Sequence, residues 1–159
     1  MVTKIEECEI ELVDEEATNA LGRVLAQCLP TGTTINLRGT LGAGKTRLVQ
    51  SIAEALGVPR ELVTSPTFVL CQHYEGSKTI HHLDAYRLMD DDEFFEIGGY
   101  ELIESSALTF IEWGDRVADC LPLERMEIEL EVVGETHRRA RVVGIGEELV
   151  KVVAAIRDS

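Results

Sequence analysis

No stretch of this chain holds the ~18 consecutive apolar residues that a membrane-spanning helix needs. Its first residues, Met1-Val2-Thr3-Lys4-Ile5-Glu6-Glu7, are acidic where a secretory signal would be basic and then apolar. These absences predict a soluble, cytoplasmic protein with no membrane association. Cysteine is sparse and scattered. Cys8, Cys28, Cys71 and Cys120 show no C-x-x-C spacing and no histidine at zinc-finger offsets, which predicts buried, reduced thiols. Positive charge is also scarce, with 15 Lys and Arg against 29 Asp and Glu, for a formal net charge of −14. Such a surface repels phosphate backbones and argues against unaided binding of nucleic acid. A local basic pocket, or work on RNA through a partner, remains open. There is no internal repeat, low-complexity tract or linker. With 159 residues, 45% of them hydrophobic, the expectation is a single folded domain over 1–159.

Hydrophobic periodicity orders the elements. Cys8, Ile10 and Leu12 alternate with Glu9 and Glu11 as in a half-exposed strand. Asp14 then stands at an N-cap position, with Glu15 and Glu16 in the first helical turn and Ala17, Leu21, Val24 and Cys28 at helical spacing. Thr33 to Arg38 reads as a strand, and Leu48, Val49, Ile52, Ala53 and Leu56 as one face of a helix closed by Gly57. Phe68 to Tyr74 and Thr79 to Leu83 form a predicted hairpin about Glu75-Gly76-Ser77-Lys78. Asp90 to Glu93 begins a helix that Gly98-Gly99 breaks, and Tyr100 to Ser105 makes another short turn. Ala107 to Ile111 has the length and apolarity of a buried strand, and a short helix runs through Val117 and Leu121 to Pro122. A second hairpin joins Met126–Val132 to Ala140–Val143, and Glu147 to Ile156 reads as a terminal helix. The fold class that follows is α/β, a mixed sheet, parallel at its centre and flanked by helices.

Between the second strand and the second helix lies Gly39-Thr40-Leu41-Gly42-Ala43-Gly44-Lys45-Thr46, a full match to G-x-x-x-x-G-K-[ST]. A chance match in a chain this long has a probability of about half a percent at average residue frequencies. The glycines let successive backbone N–H groups face phosphate oxygens, and the following helix adds its positive end. Lys45 brings a full charge to the β- and γ-phosphates, and the Thr46 hydroxyl is a hard oxygen ligand for Mg²⁺. The expected ligand is therefore ATP with Mg²⁺.

A site of this kind needs a second acid for the metal at the end of an apolar strand. Ile80-His81-His82-Leu83-Asp84 ends on Asp84, and Leu108-Thr109-Phe110-Ile111-Glu112 ends on Glu112. The second strand is apolar enough to be central, which favours Glu112 for the metal and leaves Asp84 to orient water. Taken alone, each acid could equally be a surface carboxylate. His81 and His82 point to opposite faces of a strand, so they are not expected to share an ion. Arg138, Arg139 and Arg141 form the one basic cluster, expected to be a solvated hairpin face.

Leu41-Gly42-Ala43-Gly44-Lys45-Thr46, Ser65-Pro66-Thr67-Phe68, His82-Leu83-Asp84-Ala85-Tyr86-Arg87-Leu88 and Ile111-Glu112-Trp113 occur in this order, preceded by Asp14-Glu15-Glu16-Ala17-Thr18. In this the chain resembles the bacterial TsaE family (formerly YjeE), ATPases required for threonylcarbamoyladenosine formation in tRNA. The resemblance spans about residues 8 to 122 by motif. It implies that Leu41 to Thr46 hold the phosphates, that Thr46 and Glu112 bind Mg²⁺, and that Asp84, with Lys45, supports hydrolysis. It implies a switch-like loop at Ser65-Pro66-Thr67 and places Glu15 and Thr18 near the base or ribose. The implied partner is the TsaB–TsaD heterodimer, with tRNA engaged only through that complex. Two residues depart from the pattern: Thr40 where Asp is frequent, and Arg47 where a second Thr is common.

Three rival classes are weaker. A small-molecule kinase would close an arginine-bearing lid over the phosphate, but Arg116 and Arg125 are the only arginines between Leu88 and His137. A GTPase would carry Asn-Lys-x-Asp, and the two asparagines, Asn19 and Asn36, stand in other settings. A nucleotide-gated adaptor that binds ATP without hydrolysing it would share every motif.

Overall fold

The computed structural model describes residues 2–66 and 70–159. Among the described residues, seven strands form one sheet in the order β1-β7-β6-β2-β5-β4-β3. They are β1 (Ile5–Leu12), β2 (Thr34–Gly39), β3 (Cys71–Tyr74), β4 (Ile80–Asp84), β5 (Leu108–Glu112), β6 (Arg125–Val132) and β7 (Arg138–Ile145). The four central strands β6, β2, β5 and β4 are mutually parallel. Antiparallel partners finish both edges, β7 and β1 on one side and β3 on the other. The expected mixed sheet with a parallel centre is therefore present. The strand expected from Phe68 is described from Cys71 on; Thr67 and Phe68 lie outside the described residues.

Helices α1 (Glu15–Cys28), α2 (Lys45–Ala55) and α5 (Glu147–Arg157) cover one face, while α3 (Asp91–Glu96), α4 (Gly99–Glu104) and a 3₁₀ segment at Gly114–Cys120 cover the other. The alternation along β5 explains both cores. Leu108 and Phe110 join the large cluster under α1, α2 and α5, whereas Ile111 joins the smaller one with Leu83, Phe94 and Val117. Ile35, Leu37, Leu48 and Ile52 are fully buried, and each such side chain contributes about 2 kcal/mol of burial. Helices α1 and α2 meet closely at Gly22, where a Cβ would stand 2.5 Å from that of Ser51. Lys78 donates to the Ala26 and Leu29 carbonyls at 2.8 and 2.7 Å, closing the end of α1. All four cysteines are free thiols, but only Cys120 is buried; Cys8, Cys28 and Cys71 are half-buried, a correction to the expected burial. Among the described residues, no helix is long and apolar enough to cross a membrane.

Candidate active site at the carboxyl ends of the parallel strands

In a parallel sheet the loops after the strands open a crevice at their carboxyl ends. Here the loop after β2 is the glycine loop 39–46, and the register Leu37↔Glu112 and Asp84↔Glu112 brings the ends of β2, β5 and β4 side by side. Parity then aims the side chains. Glu112 lies on the same face as Leu108 and Phe110, and Asp84 on the same face as Ile80 and His82, which is the face covered by α2. Both acids consequently line one cavity of about 520 Å³ together with Lys45, Thr46 and the loop. They are buried, 4% exposed for Asp84 and 6% for Glu112, so neither is a surface carboxylate.

The loop itself is shaped for close approach. Gly42 and Gly44 take φ of 82° and 103°, the left-handed region open to glycine. Gly44 is the N-cap of α2, yet no side chain caps that helix and its first turn holds no acid. The backbone N–H groups of the first turn therefore face the cavity without a protein anion against them. Lys45 is 9% exposed and folds back over the loop, donating to the Gly39 carbonyl at 2.8 Å and lying 3.3 Å from Glu112 Oε1. Its ammonium also sits 5.2 Å from the centroid of the Trp113 ring.

Glu112 is fixed from its other oxygen. His82, fully buried, places Nε2 2.6 Å from Glu112 Oε2, and because a carboxylate only accepts, Nε2 carries the proton. Its Nδ1 is buried without a hydrogen-bond partner. Burial alone would raise the pKa of Glu112, but the His82 hydrogen bond and the Lys45 charge outweigh it and hold the carboxyl below its ordinary value. Asp84 Oδ1 accepts from the Tyr86 backbone N–H at 2.8 Å. Two hard carboxylates and the Thr46 hydroxyl at one cavity suit a small divalent cation with oxygen preference. His81 turns away and meets His73, the two Nδ1 atoms 2.7 Å apart, as strand parity requires.

The remaining candidates are distributed around the same cavity. Glu15 and Thr18, from the start of α1, also line it, as does Ser65. Arg47 pairs with Glu15 at 2.9 Å, bridging α2 to α1 at the rim. Trp113 follows Glu112 with φ 61°, is 44% exposed, and packs on Tyr86 with centroids 5.0 Å apart. One expectation needs correction. Arg139 and Arg141 do form a solvated face, paired with Glu11 and Glu7 at 2.8 and 2.7 Å. Arg138 instead lines the cavity, with Glu135 and Thr136 of the β6–β7 turn. The alternation Arg138-Ala140-Val142 held the signal, since Ala140 and Val142 are core residues and Arg138 shares their face.

A family model described as threonylcarbamoyl adenosine biosynthesis protein TsaE matches residues 12–141. The chain belongs to the TsaE family. Among curated relatives, the tRNA threonylcarbamoyladenosine biosynthesis protein TsaE of Treponema pallidum is 40% identical over 121 residues, 76% of this chain and 89% of that protein. The corresponding protein of Aquifex aeolicus is 37% identical over 136 residues, 84% and 94% of the two chains. A crystal structure of YdiB from Bacillus subtilis superposes with a TM-score of 0.76 at 25% identity, covering 98% of this chain and 97% of that one. The TsaE match spans β2, β4, β5 and both acids, so family membership and cavity concern the same residues. The biological setting is thus tRNA threonylcarbamoyladenosine biosynthesis.

Proposed function

We propose that this protein is a cytoplasmic ATPase that binds ATP with Mg²⁺ in the 520 Å³ cavity and acts on a TsaB–TsaD complex during threonylcarbamoyladenosine formation in tRNA. The observation that carries this reading is the uncapped, acid-free start of α2 facing two buried carboxylates across Lys45. The first-turn amides and Lys45 would hold phosphate oxygens, Lys45 exchanging its Gly39 carbonyl for them. Thr46 and Glu112 would hold Mg²⁺, with Glu112 kept ionised and oriented by His82. Bound Mg²⁺ supplies positive charge that polarises the phosphoryl oxygens. Asp84, its other oxygen anchored to the Tyr86 amide, would orient the attacking water and receive its proton. The acidic surface supports contact with tRNA through the partner complex rather than directly.

The test measures ATP turnover and Trp113 fluorescence for the protein alone, with TsaB–TsaD, and with tRNA added at stated salt. The expected result is slow turnover alone, acceleration with the complex, a fluorescence change on ATP-Mg²⁺ binding, and no tRNA retention by the lone chain. Turnover already maximal in isolation, or tight tRNA binding by the lone protein, would overturn the partner dependence. Phosphate transfer to a small molecule instead of water would overturn the ATPase reading.

A further inference from the structure

At the β3–β4 edge of the sheet, His73 and His81 stand directly opposite each other in the antiparallel register. Alternation puts His81 on the same side as Leu83, in the smaller core cluster, and away from His82, which turns to Glu112. The two Nδ1 atoms are 2.7 Å apart. The rings are nearly perpendicular, at 84°, with centroids separated by 4.7 Å. One Nδ1 must donate and the other accept, so the two nitrogens face each other across a single shared proton.

That spacing is close to what a metal ion would impose. With metal–nitrogen bonds of about 2.0–2.1 Å, a right angle at the ion separates the nitrogens by about 2.9 Å, and a tetrahedral angle by about 3.4 Å. The pair matches the right angle to within a few tenths of an ångström. His81 is half-buried, and burial together with the neighbouring His73 holds its pKa below the ordinary value. At neutral pH it is therefore the uncharged imidazole that ligates metals. Exchanging the shared proton for an ion needs no net deprotonation, because the donating ring can carry its proton on Nε2 instead. Glu75, which accepts from Thr79 Oγ1 at 3.1 Å, adds negative charge that acts on His81. Among the described residues no group of three His, Cys, Asp or Glu could hold an ion by itself, so the pair would leave the other coordination positions to water.

We propose that His73 and His81 form a two-nitrogen site for a divalent late transition-metal ion, Ni²⁺ or Cu²⁺, gripped at a right angle through both Nδ1 atoms. Imidazole suits these ions, and their square-planar or octahedral geometry supplies neighbouring positions at 90°. Zn²⁺, tetrahedral by preference, would have to spread the rings. The site is chemically distinct from the oxygen ligands of the nucleotide cavity, which suit Mg²⁺. Its structural effect is a clasp: β3 is a four-residue edge strand, and an ion across His73 and His81 would tie it to β4 beside the backbone ladder.

The experiment titrates Ni²⁺ and, separately, Zn²⁺ into the full chain by calorimetry in excess Mg²⁺, with thermal unfolding alongside. His73→Ala and His81→Ala should each weaken Ni²⁺ binding by about tenfold or more, and Glu75→Gln by about two- to threefold through the lost charge. His137→Ala should leave it unchanged, since that ring pairs with Glu11. Saturating Ni²⁺ should raise the Tm of the wild type by about 5 °C, and the gain should vanish in His73→Ala. His73 is exposed, so that variant carries the test should the half-buried His81→Ala not fold. Zn²⁺ should bind less tightly than Ni²⁺. Equal Ni²⁺ affinity in the wild type and His73→Ala, or no wild-type binding below about 1 mM, would overturn the site. A loss confined to His137→Ala would overturn it too, by moving the ion to Glu11. Zn²⁺ binding tighter than Ni²⁺ would overturn the right-angled geometry.

Discussion

Helices α1 and α2 begin at the rim of the same cavity, yet their N-termini are built in opposite ways. At α1 the chain supplies its own anion: Asp14 accepts the Ala17 amide at 2.9 Å, and Glu15 and Glu16 fill the first turn. At α2 the cap is Gly44, no side chain accepts a first-turn amide, and the only charges in that turn are Lys45 and Arg47. A capped start is satisfied within the fold and stabilises it. A bare start leaves donors that an external anion can satisfy, and that difference separates a structural helix end from a binding one. Sequence periodicity treats the two helices alike; the caps distinguish them.

The largest effect expected is from Lys45→Ala, which strikes the binding end directly. Removing a charge-assisted contact to phosphate should cost about 3 kcal/mol, or ~100-fold in ATP-Mg²⁺ affinity, with the circular dichroism spectrum retained. Wild-type affinity in this variant would erase the contrast between the two helix ends. Next come the acids behind that end. Glu112→Gln should raise the Mg²⁺ concentration needed for nucleotide binding by about tenfold, since it replaces an ionised oxygen ligand by a neutral one. Asp84→Asn should leave that titration in place and slow hydrolysis. A titration that moves with Asp84 alone would exchange their roles.

Both helix starts were legible in the sequence, because Asp-x-x at a cap and Gly-Lys-Thr after a strand are local chemistry. So were the two acids as candidates. What brings them together is the parallel register Asp84↔Glu112, and periodicity does not say which strands become neighbours. His82 was read only as unable to share an ion with His81, and its pairing with Glu112 was not seen because that partner lies 30 residues away on another strand. Arg138 was missed for the opposite reason: its arginine neighbours made a cluster look like one surface, whereas strand parity divides it between the solvent face and the cavity. Arg47 looked like a departure within the loop motif, and the structure gives it a partner, Glu15, that no local pattern announces.

The structural end of the comparison has its own test. Asp14→Ala should lower stability by about 1 kcal/mol, because the Ala17 amide loses its acceptor, while Asp14→Asn should change it little. Thermal unfolding of the two variants without ligand measures this. Equal losses for Ala and Asn would mean that charge against the helix end, not capping, stabilises the start of α1.

The smallest effect expected is at a bridge between the two ends, the Arg47–Glu15 pair. Its side chains are 41% and 70% exposed, so solvent screens the attraction and ordering two long side chains offsets much of what remains. Arg47→Ala should therefore change unfolding stability by less than about 0.5 kcal/mol. Its electrostatic consequence for the cavity is larger than its structural one. The variant removes a cation from the first turn of α2 and leaves the Glu15 carboxylate at the rim without that partner, so an incoming polyanion meets a less positive field. ATP-Mg²⁺ affinity should fall by about two- to threefold at low salt, and the difference should fade as the Debye length shrinks from ~30 Å at 0.01 M to ~8 Å at 0.15 M. Measuring both proteins across that salt range separates the possibilities. A salt-independent loss of about tenfold or more would make Arg47 a direct phosphate ligand, extending the binding end of α2 one residue beyond Thr46.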